Sequence, residues 1–212
     1  MRSPLAETER DALIEAMLPD VAFDGWSRAA LRAAARRQGT PAGEALALFP
    51  GGGAGLVAGF SRWVNRRMLD RLEASPLDQL RASERVALAI GVRLEIVEPW
   101  REAVRRSLTI LSLPRHAPLA LRLTYETVDA MWYAAGDTAT DFSFYTKRLT
   151  LAAIYGAAVL YWLDDRSEGF AETRAFVERR LAGAARIGRV RRDLETALRQ
   201  LPNPLRLLRP SR

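Results

Sequence analysis

Few residues in this sequence have the chemistry of a catalytic group. The 212 residues include no cysteine, which excludes disulfides, thiolate metal sites and cysteine nucleophiles. His116, the one histidine, stands between Pro114 and Pro118 with no second histidine or glutamate at metal-ligand spacing. Asp164 and Asp165 are neighbours, and because adjacent helical residues point about 100° apart, we interpret them as a helix terminus with a capping role rather than an acid–base pair. The sequence therefore predicts a protein that is not an enzyme and holds no metal.

A glycine-rich loop at residues 51–55 is the candidate for a phosphate-binding site. A P-loop requires a lysine and a hydroxyl residue directly after its last glycine. Leu56 and Val57 stand there instead. We therefore interpret the loop as a turn.

The net charge of +7 suggests a nucleic-acid partner until its distribution is considered. Residues 1–60 hold six arginines against seven acidic residues, whereas residues 186–212 hold eight arginines against two acidic residues. A repressor reads base edges from the third helix of its N-terminal module, and that segment here, PAGEALALF, carries Glu44 as its one charge. We expect no nucleic-acid partner.

The elements that must position any site are helices, since Ala, Leu and Arg dominate over β-branched residues. Ser3 and the following proline predict the start of a first helix, which Pro19 is expected to end. A second helix is predicted from Ser27 to Gly39, and a short third helix ends near Phe49. This order is typical of a helix-turn-helix module.

Helical periodicity resumes over residues 55–74, 83–98, 119–135 and 143–163, followed by a last core helix from about residue 167. The longest apolar run, residues 149–163, is shorter than the roughly 20 residues that a membrane span requires. We predict an all-α fold with three parts. These are a helix-turn-helix-like module at 1–54, a helical domain at 55–185 and a basic amphipathic segment at 186–212.

The helices at 83–98, 119–135 and 143–163 carry more apolar surface than one buried face needs. Two interpretations stay open, because spacing shows which residues are apolar but not whether space is left between them: a dense core, or a cavity for an apolar ligand. The candidate lipid contacts are Leu88, Val92, Ile96, Trp100, Met131, Trp132, Leu151, Ile154, Tyr155 and Trp162.

The C-terminal segment has an apolar face flanked by arginines, a pattern typical of helices that lie on a membrane surface. Each basic residue near an anionic leaflet contributes on the order of 1 kcal/mol to binding. The candidate membrane residues are Ile187, Val190, Leu194, Leu198, Leu201, Arg191 and Arg192. An ordinary terminal helix packed on the domain is the open alternative.

Residues 137–180 resemble the ubiquinone-biosynthesis accessory family called Coq-nine. The family pattern places a threonine and an aspartate before an aromatic pair, then basic residues, an Ala-Ile-Tyr core and an Asp-x-Ser unit. The matching residues here are Thr140, Asp141, Phe144, Tyr145, Thr146, Lys147, Arg148, Ala153, Ile154, Tyr155, Asp165, Ser167, Phe176 and Arg179. The family looks like a TetR-type regulator whose DNA function has been lost, which agrees with the helix-turn-helix outline.

This resemblance implies a lipid-binding accessory protein that binds isoprenoid quinone intermediates, has no other cofactor, and supports the demethoxyubiquinone hydroxylase. It implies that Asp141, Phe144 and Tyr145 meet the hydroxylase, although Phe144 stands where the family usually has tryptophan. A homodimer is expected from the TetR resemblance. The start of the chain does not read as a transit peptide, so we expect a bacterial, cytoplasmic protein associated peripherally with the inner membrane. The alternative is a TetR-like transcriptional regulator with a lipophilic effector.

Overall fold

A computed structural model describes residues 4–136 and 142–200, with side-chain surroundings for residues 6–136 and 145–186. Its elements are α1 (Pro4–Asp24), α2 (Arg28–Gln38), α3 (Ala42–Leu48), α4 (Gly53–Glu73), α5 (Ala82–Val97), α6 (Arg101–Leu111), α7 (Ala117–Ala134), α8 (Phe142–Asp164) and α9 (Ala171–Gln200). Short 3₁₀ turns join several of them, and the described ranges hold no strand. The predicted all-α fold is confirmed.

The N-terminal helices form the predicted helix-turn-helix. The Ser27 hydroxyl accepts a hydrogen bond of 3.1 Å from the backbone N–H of Ala30, which caps the start of α2. Gly39 ends α2 at φ +70°, a left-handed conformation that glycine adopts without steric cost. Both helix ends therefore follow from their capping residues.

The prediction that Pro19 ends the first helix is wrong, because α1 continues through it to Asp24. Leu18 and Val21 on either side of the proline are almost fully buried, as is Ile14 one turn earlier. The hydrophobic effect of this continuous apolar stripe outweighs the backbone hydrogen bond that proline removes.

Helices α4 to α8 form the second part of the fold. Helix α4 packs on α5 and α7, helix α8 packs on α7 and α9, and α1 contacts α4 and α6, so the module and the bundle share one core. The predicted boundary at 54/55 falls in the first turn of α4. Helix α9 passes residue 186 without a break, so the last core helix and the predicted C-terminal segment are one helix as far as Gln200.

Candidate functional site

A cavity of about 430 Å³ lies among α4, α5, α6, α7 and α8. Its wall is mainly apolar, with a small number of polar side chains, which is the usual composition of a small-molecule site. The lining residues are Val57, Phe60, Ser61, Val64, Arg93, Leu94, Val97, Val104, Ser107, Leu108, Leu111, Ser112, Ala120, Leu123, Thr124, Thr127, Tyr155, Gly156, Val159, Leu160 and Trp162. The structure contains features of both interpretations that the sequence left open, a cavity among these helices and a buried core beside it.

The cavity has a buried side and an exposed side. Val64, Leu123 and Thr127 on its wall are buried. Leu160 is 61% exposed, and Gly156 one turn before it is also exposed. The cavity therefore reaches the surface beside α8, which gives an apolar molecule a route of entry.

Trp162 fixes one wall of the cavity. Its side chain is fully buried, and its indole Nε1 donates a hydrogen bond of 3.0 Å to a Glu98 carboxylate oxygen. The Arg101 guanidinium carbon lies 4.5 Å from the centroid of the Trp162 rings, a cation–π distance. Because the ring is held at both its polar edge and its face, this wall has a fixed shape.

A polar cluster lines the buried side of the cavity, centred on Arg93 of α5. The Arg93 Nε donates to the Tyr155 hydroxyl at 2.7 Å, and its terminal nitrogens donate to the Asn65 side-chain oxygen and to the Ser61 hydroxyl. Thr127 Oγ1 donates to the same Asn65 oxygen at 3.2 Å. The cluster joins four helices, α4, α5, α7 and α8, around one guanidinium.

The structure brings two of the ten candidate lipid contacts to the cavity wall, Tyr155 and Trp162. Leu88 lines a separate groove between α5 and α9. The other seven lie in the core or at its edge, outside the cavity wall: Val92, Ile96, Met131, Leu151 and Ile154 are buried, and Trp100 and Trp132 are half-buried.

Sequence reasoning missed the contributions of α4 and α6 and the role of Arg93. The apolar faces of α4 and α6 have ordinary amphipathic spacing, so nothing in them distinguishes a cavity wall from a core. Arg93 had a signal. It stands between Ile90 and Val97 on the buried face of α5, and a charge at a core position is a departure that calls for an explanation.

Asp165 and Ser167 of the family motif have a structural role, because they cap the start of α9. The buried Asp165 carboxylate accepts hydrogen bonds from the backbone N–H and the hydroxyl of both Ser167 and Thr173. Burial raises the pKa of Asp165, but these hydrogen bonds lower it more, and the result lies well below the ordinary value. The predicted capping role of this aspartate pair is confirmed for Asp165, whereas Asp164 is exposed.

Basic residues of the same motif attach the start of α8 to α7. The Arg148 guanidinium, which is buried, forms an ion pair of 2.8 Å with Asp129. The Lys147 ammonium lies 5.6 Å from the centroid of the Trp132 ring. These contacts fix the first turns of α8, where the candidate partner residues lie.

The three candidate partner residues are Asp141, Phe144 and Tyr145. The structure describes the side chain of Tyr145, which is 69% exposed. Asp141 and the Phe144 side chain lie outside the described residues, as do Leu201 and the side chains of Ile187, Val190, Arg191, Arg192, Leu194 and Leu198. The backbone of α9 is helical as far as Gln200. The partner and membrane assignments stay predictions.

Within the described residues, no group of three or more His, Asp or Glu side chains is placed to hold a metal ion. None of the helices described there is long and apolar enough to cross a membrane. Helix α3 exposes Glu44 and carries no basic side chain, so the structure supplies no groove-reading residue on it.

Comparison with known proteins confirms the resemblance predicted from sequence. The COQ9 family model matches residues 117–188. The chain is 32% identical over 188 residues to the mitochondrial ubiquinone biosynthesis protein COQ9 of Drosophila melanogaster, covering 84% of this chain and 56% of that protein. It is 33% identical over 191 residues to the human protein of the same name, covering 87% of this chain and 60% of the relative. The chain thus spans less than two thirds of the length of these relatives.

The crystal structure of a TetR transcriptional regulator from Nitrosomonas europaea has the same fold, with a TM-score of 0.67 and 24% identity. The match covers 84% of this chain and 98% of the regulator. The predicted TetR-like fold is confirmed, and at this identity the likeness concerns the fold alone.

Proposed function

From the similarity of this chain to COQ9 proteins over more than four fifths of its length, we propose that it is an accessory protein of ubiquinone biosynthesis. It holds an isoprenoid quinone intermediate in the cavity beside α8 and supports the demethoxyubiquinone hydroxylase without itself catalysing a reaction. The observation that carries this proposal is the apolar cavity of about 430 Å³ with an exposed side. Burial of apolar surface contributes about 25 cal/mol per Å², so an isoprenoid chain gains affinity from such a wall.

Gly156 provides a direct test of the cavity. It lines the cavity, and a Cβ at its position meets no heavy atom within 4 Å, so a side chain can be added there without a backbone clash. We expect Gly156→Trp to occupy the cavity and to lower the amount of copurifying isoprenoid lipid, measured by mass spectrometry, about tenfold.

The matched control is Gly183→Trp, because Gly183 is also helical with no heavy atom near its Cβ and does not line the cavity. Its lipid content should equal that of the wild type. Equal isoprenoid content in wild type and Gly156→Trp, with both proteins folded, would contradict the proposal, as would a wild type that carries no isoprenoid lipid.

The C-terminal part of α9 is proposed to attach the protein to a membrane surface through its arginine-flanked apolar face. Removal of residues 186–212 is expected to reduce cosedimentation with anionic liposomes while the domain stays folded. High salt should weaken binding of the full chain, because it screens the arginines. Unchanged cosedimentation after truncation would remove this role from the segment. The expected homodimer stays a prediction that sedimentation equilibrium can test.

A further inference from the structure

Arg93 is a buried charge on the wall of an apolar cavity. Its side chain is 6% exposed, and its neighbours along the buried face of α5 are Val86, Ile90 and Val97. Moving an ionised group from water into such surroundings is costly unless an opposite charge accompanies it. The position therefore calls for a compensating group.

Among the described residues, the hydrogen-bond partners of Arg93 are all neutral. The three hydrogen bonds of the guanidinium go to the hydroxyl of Tyr155, the amide oxygen of Asn65 and, at 3.5 Å, the hydroxyl of Ser61. In the part of the chain that the structure describes, Arg93 forms no ion pair. The guanidinium carbon of Arg93 also lies 5.6 Å from the centroid of the Tyr155 ring, a cation–π distance, but this ring carries no counter-charge. A guanidinium has five N–H donors, so the three hydrogen bonds leave part of the donor capacity of Arg93 unused, and no carboxylate of the described residues pairs with its charge.

Arg148 shows what a structural arginine looks like in the same fold. It is buried to the same degree, at 7% exposed, and its guanidinium is paired with the carboxylate of Asp129 at 2.8 Å. Arg148 does not line the cavity, whereas Arg93 does. The buried arginine with a carboxylate partner lies away from the cavity, and the one without such a partner lies on its wall.

We propose that Arg93 is the head-group anchor of the cavity, which takes an amphiphile with an anionic oxygen head, a carboxylate or an ionised phenol, on an apolar chain. The head oxygens accept hydrogen bonds from Arg93 on the buried side, and the chain runs along the apolar wall toward Gly156 and Leu160. A charge-assisted pair of this kind is short, strong and selective for oxyanions. This inference rests on the proposed function in one respect, namely that the cavity is the ligand site.

Four probes separate the head from the chain. Farnesoic acid and farnesol share an isoprenoid chain and differ in the charge of the head, as palmitic acid and hexadecanol do for a linear chain. Binding is measured by displacement of Nile red from the full-length protein after its copurified lipid has been removed. Hydrogen bonds to charged groups are strong enough that we expect each acid to bind at least about tenfold more tightly than its alcohol.

Arg93→Met should abolish the preference for the acids and leave the alcohols nearly unchanged, while Arg93→Lys should keep part of the preference. Arg28→Met is the matched control, because Arg28 is exposed on α2, far from the cavity wall, and its loss removes one charge without touching the site. Thermal melting of each variant shows whether it is folded. Should Arg93→Met not fold, the acid-to-alcohol ratio of the wild type still decides.

The comparison of head groups and the comparison of chains test different claims. Equal affinities of acid and alcohol in the wild type would overturn the inference, and so would an acid preference that survives in folded Arg93→Met. The chain comparison tests the proposed function instead, because farnesyl probes that bind no better than linear ones argue against an isoprenoid ligand. Acid preference with either chain supports the anchor, and the favoured chain tells an isoprenoid acid from a fatty acid.

Discussion

The helix-turn-helix module and the cavity-bearing bundle use the same helical architecture but fill their interiors differently. Between α1, α2 and α3 the fully buried positions include Ala30, Ala34, Ala35 and Ala45, whose small side chains let the helices approach closely. Leucines and a methionine of α1 fill the remaining space. Close approach of helices through small side chains is typical of a densely packed core.

The bundle buries polar side chains among its apolar ones. Arg93, Ser107 and Thr127 are all buried there, and all three line the cavity. Arg93 and Thr127 form hydrogen bonds between helices, whereas Ser107 donates to the Ala103 carbonyl of its own helix. Because the cavity lies in the bundle, the two halves should respond differently to substitution.

The largest expected effect is on stability, from a pair of leucine truncations. Leu31 is 1% exposed in the module, and Leu108 is half-buried on the cavity wall. Leu31→Ala should lower the free energy of unfolding by about 3 kcal/mol, because it opens a new void in a packed core. Leu108→Ala should cost about 1 kcal/mol, because it enlarges space that already exists. Urea unfolding measures both. An equal decrease in the free energy of unfolding for Leu108→Ala and Leu31→Ala would contradict a difference in packing between the module and the bundle.

The contrast also shows what the sequence allows one to predict. The ends of α2 were predictable because Ser27 and Gly39 act through local hydrogen bonds and backbone conformation. The continuation of α1 through Pro19 was not, since it depends on tertiary burial of Leu18 and Val21. Tertiary packing overrides a local signal wherever a buried stripe is continuous.

The cavity itself depends on the distances between helices, which periodicity does not contain. Tyr155 and Trp162 were predicted lipid contacts from their type and position, and they line the cavity. Met131 and Leu151 have the same pattern and lie in the dense core. Arg93 was missed, although its charge on the buried face of α5 was a signal that the sequence contained.

The next prediction concerns binding of the hydroxylase. It compares one exposed aromatic residue of the bundle with one of the module. Tyr145 at the start of α8 is 69% exposed, and Phe23 near the end of α1 is 85% exposed. Tyr145→Asp should weaken capture of the hydroxylase by about 2 kcal/mol or more, the usual cost of truncating an interface anchor. Because Tyr145 is exposed, melting temperature and lipid content should stay near the wild type. Copurification with the hydroxylase measures the effect.

Phe23→Asp is the control for that experiment, since it places the same charge on an aromatic position of the module. Its hydroxylase capture should equal that of the wild type. Equal hydroxylase capture by both variants would contradict the assignment of the partner surface to the bundle. So would a large drop in the melting temperature of Tyr145→Asp that explains its loss of capture.

The smallest expected effect is a pH-dependent contribution to stability that belongs to the bundle alone. Asp165 closes the bundle where α8 turns into α9, by accepting four hydrogen bonds from Ser167 and Thr173. Since its pKa in the folded protein lies below the ordinary value of about 3.9, its ionised form stabilises the fold fully above that value. The contribution is lost as the pH falls from about 4 toward the lower folded-state pKa, where the carboxylate gains a proton in both states.

Asp165→Asn removes the charge but keeps one acceptor oxygen, so it should lower the free energy of unfolding by about 1 kcal/mol at pH 7, the usual worth of a capping group. The difference between wild type and variant should begin to shrink below about pH 4, because Asp165 gains a proton there in the unfolded wild type while the folded protein keeps the charge to lower pH. Asp164→Asn is the matched control, because the Asp164 side chain is 87% exposed. Its ion pair with Arg105, at 3.9 Å, is screened by solvent and contributes little. Urea unfolding at pH 7 and pH 3.5 measures all three proteins. A difference for Asp165→Asn that is as large at pH 3.5 as at pH 7 would mean that the hydrogen-bond geometry, and not the carboxylate charge, supplies the stabilisation. An effect of Asp164→Asn equal to that of Asp165→Asn would contradict the capping role of Asp165.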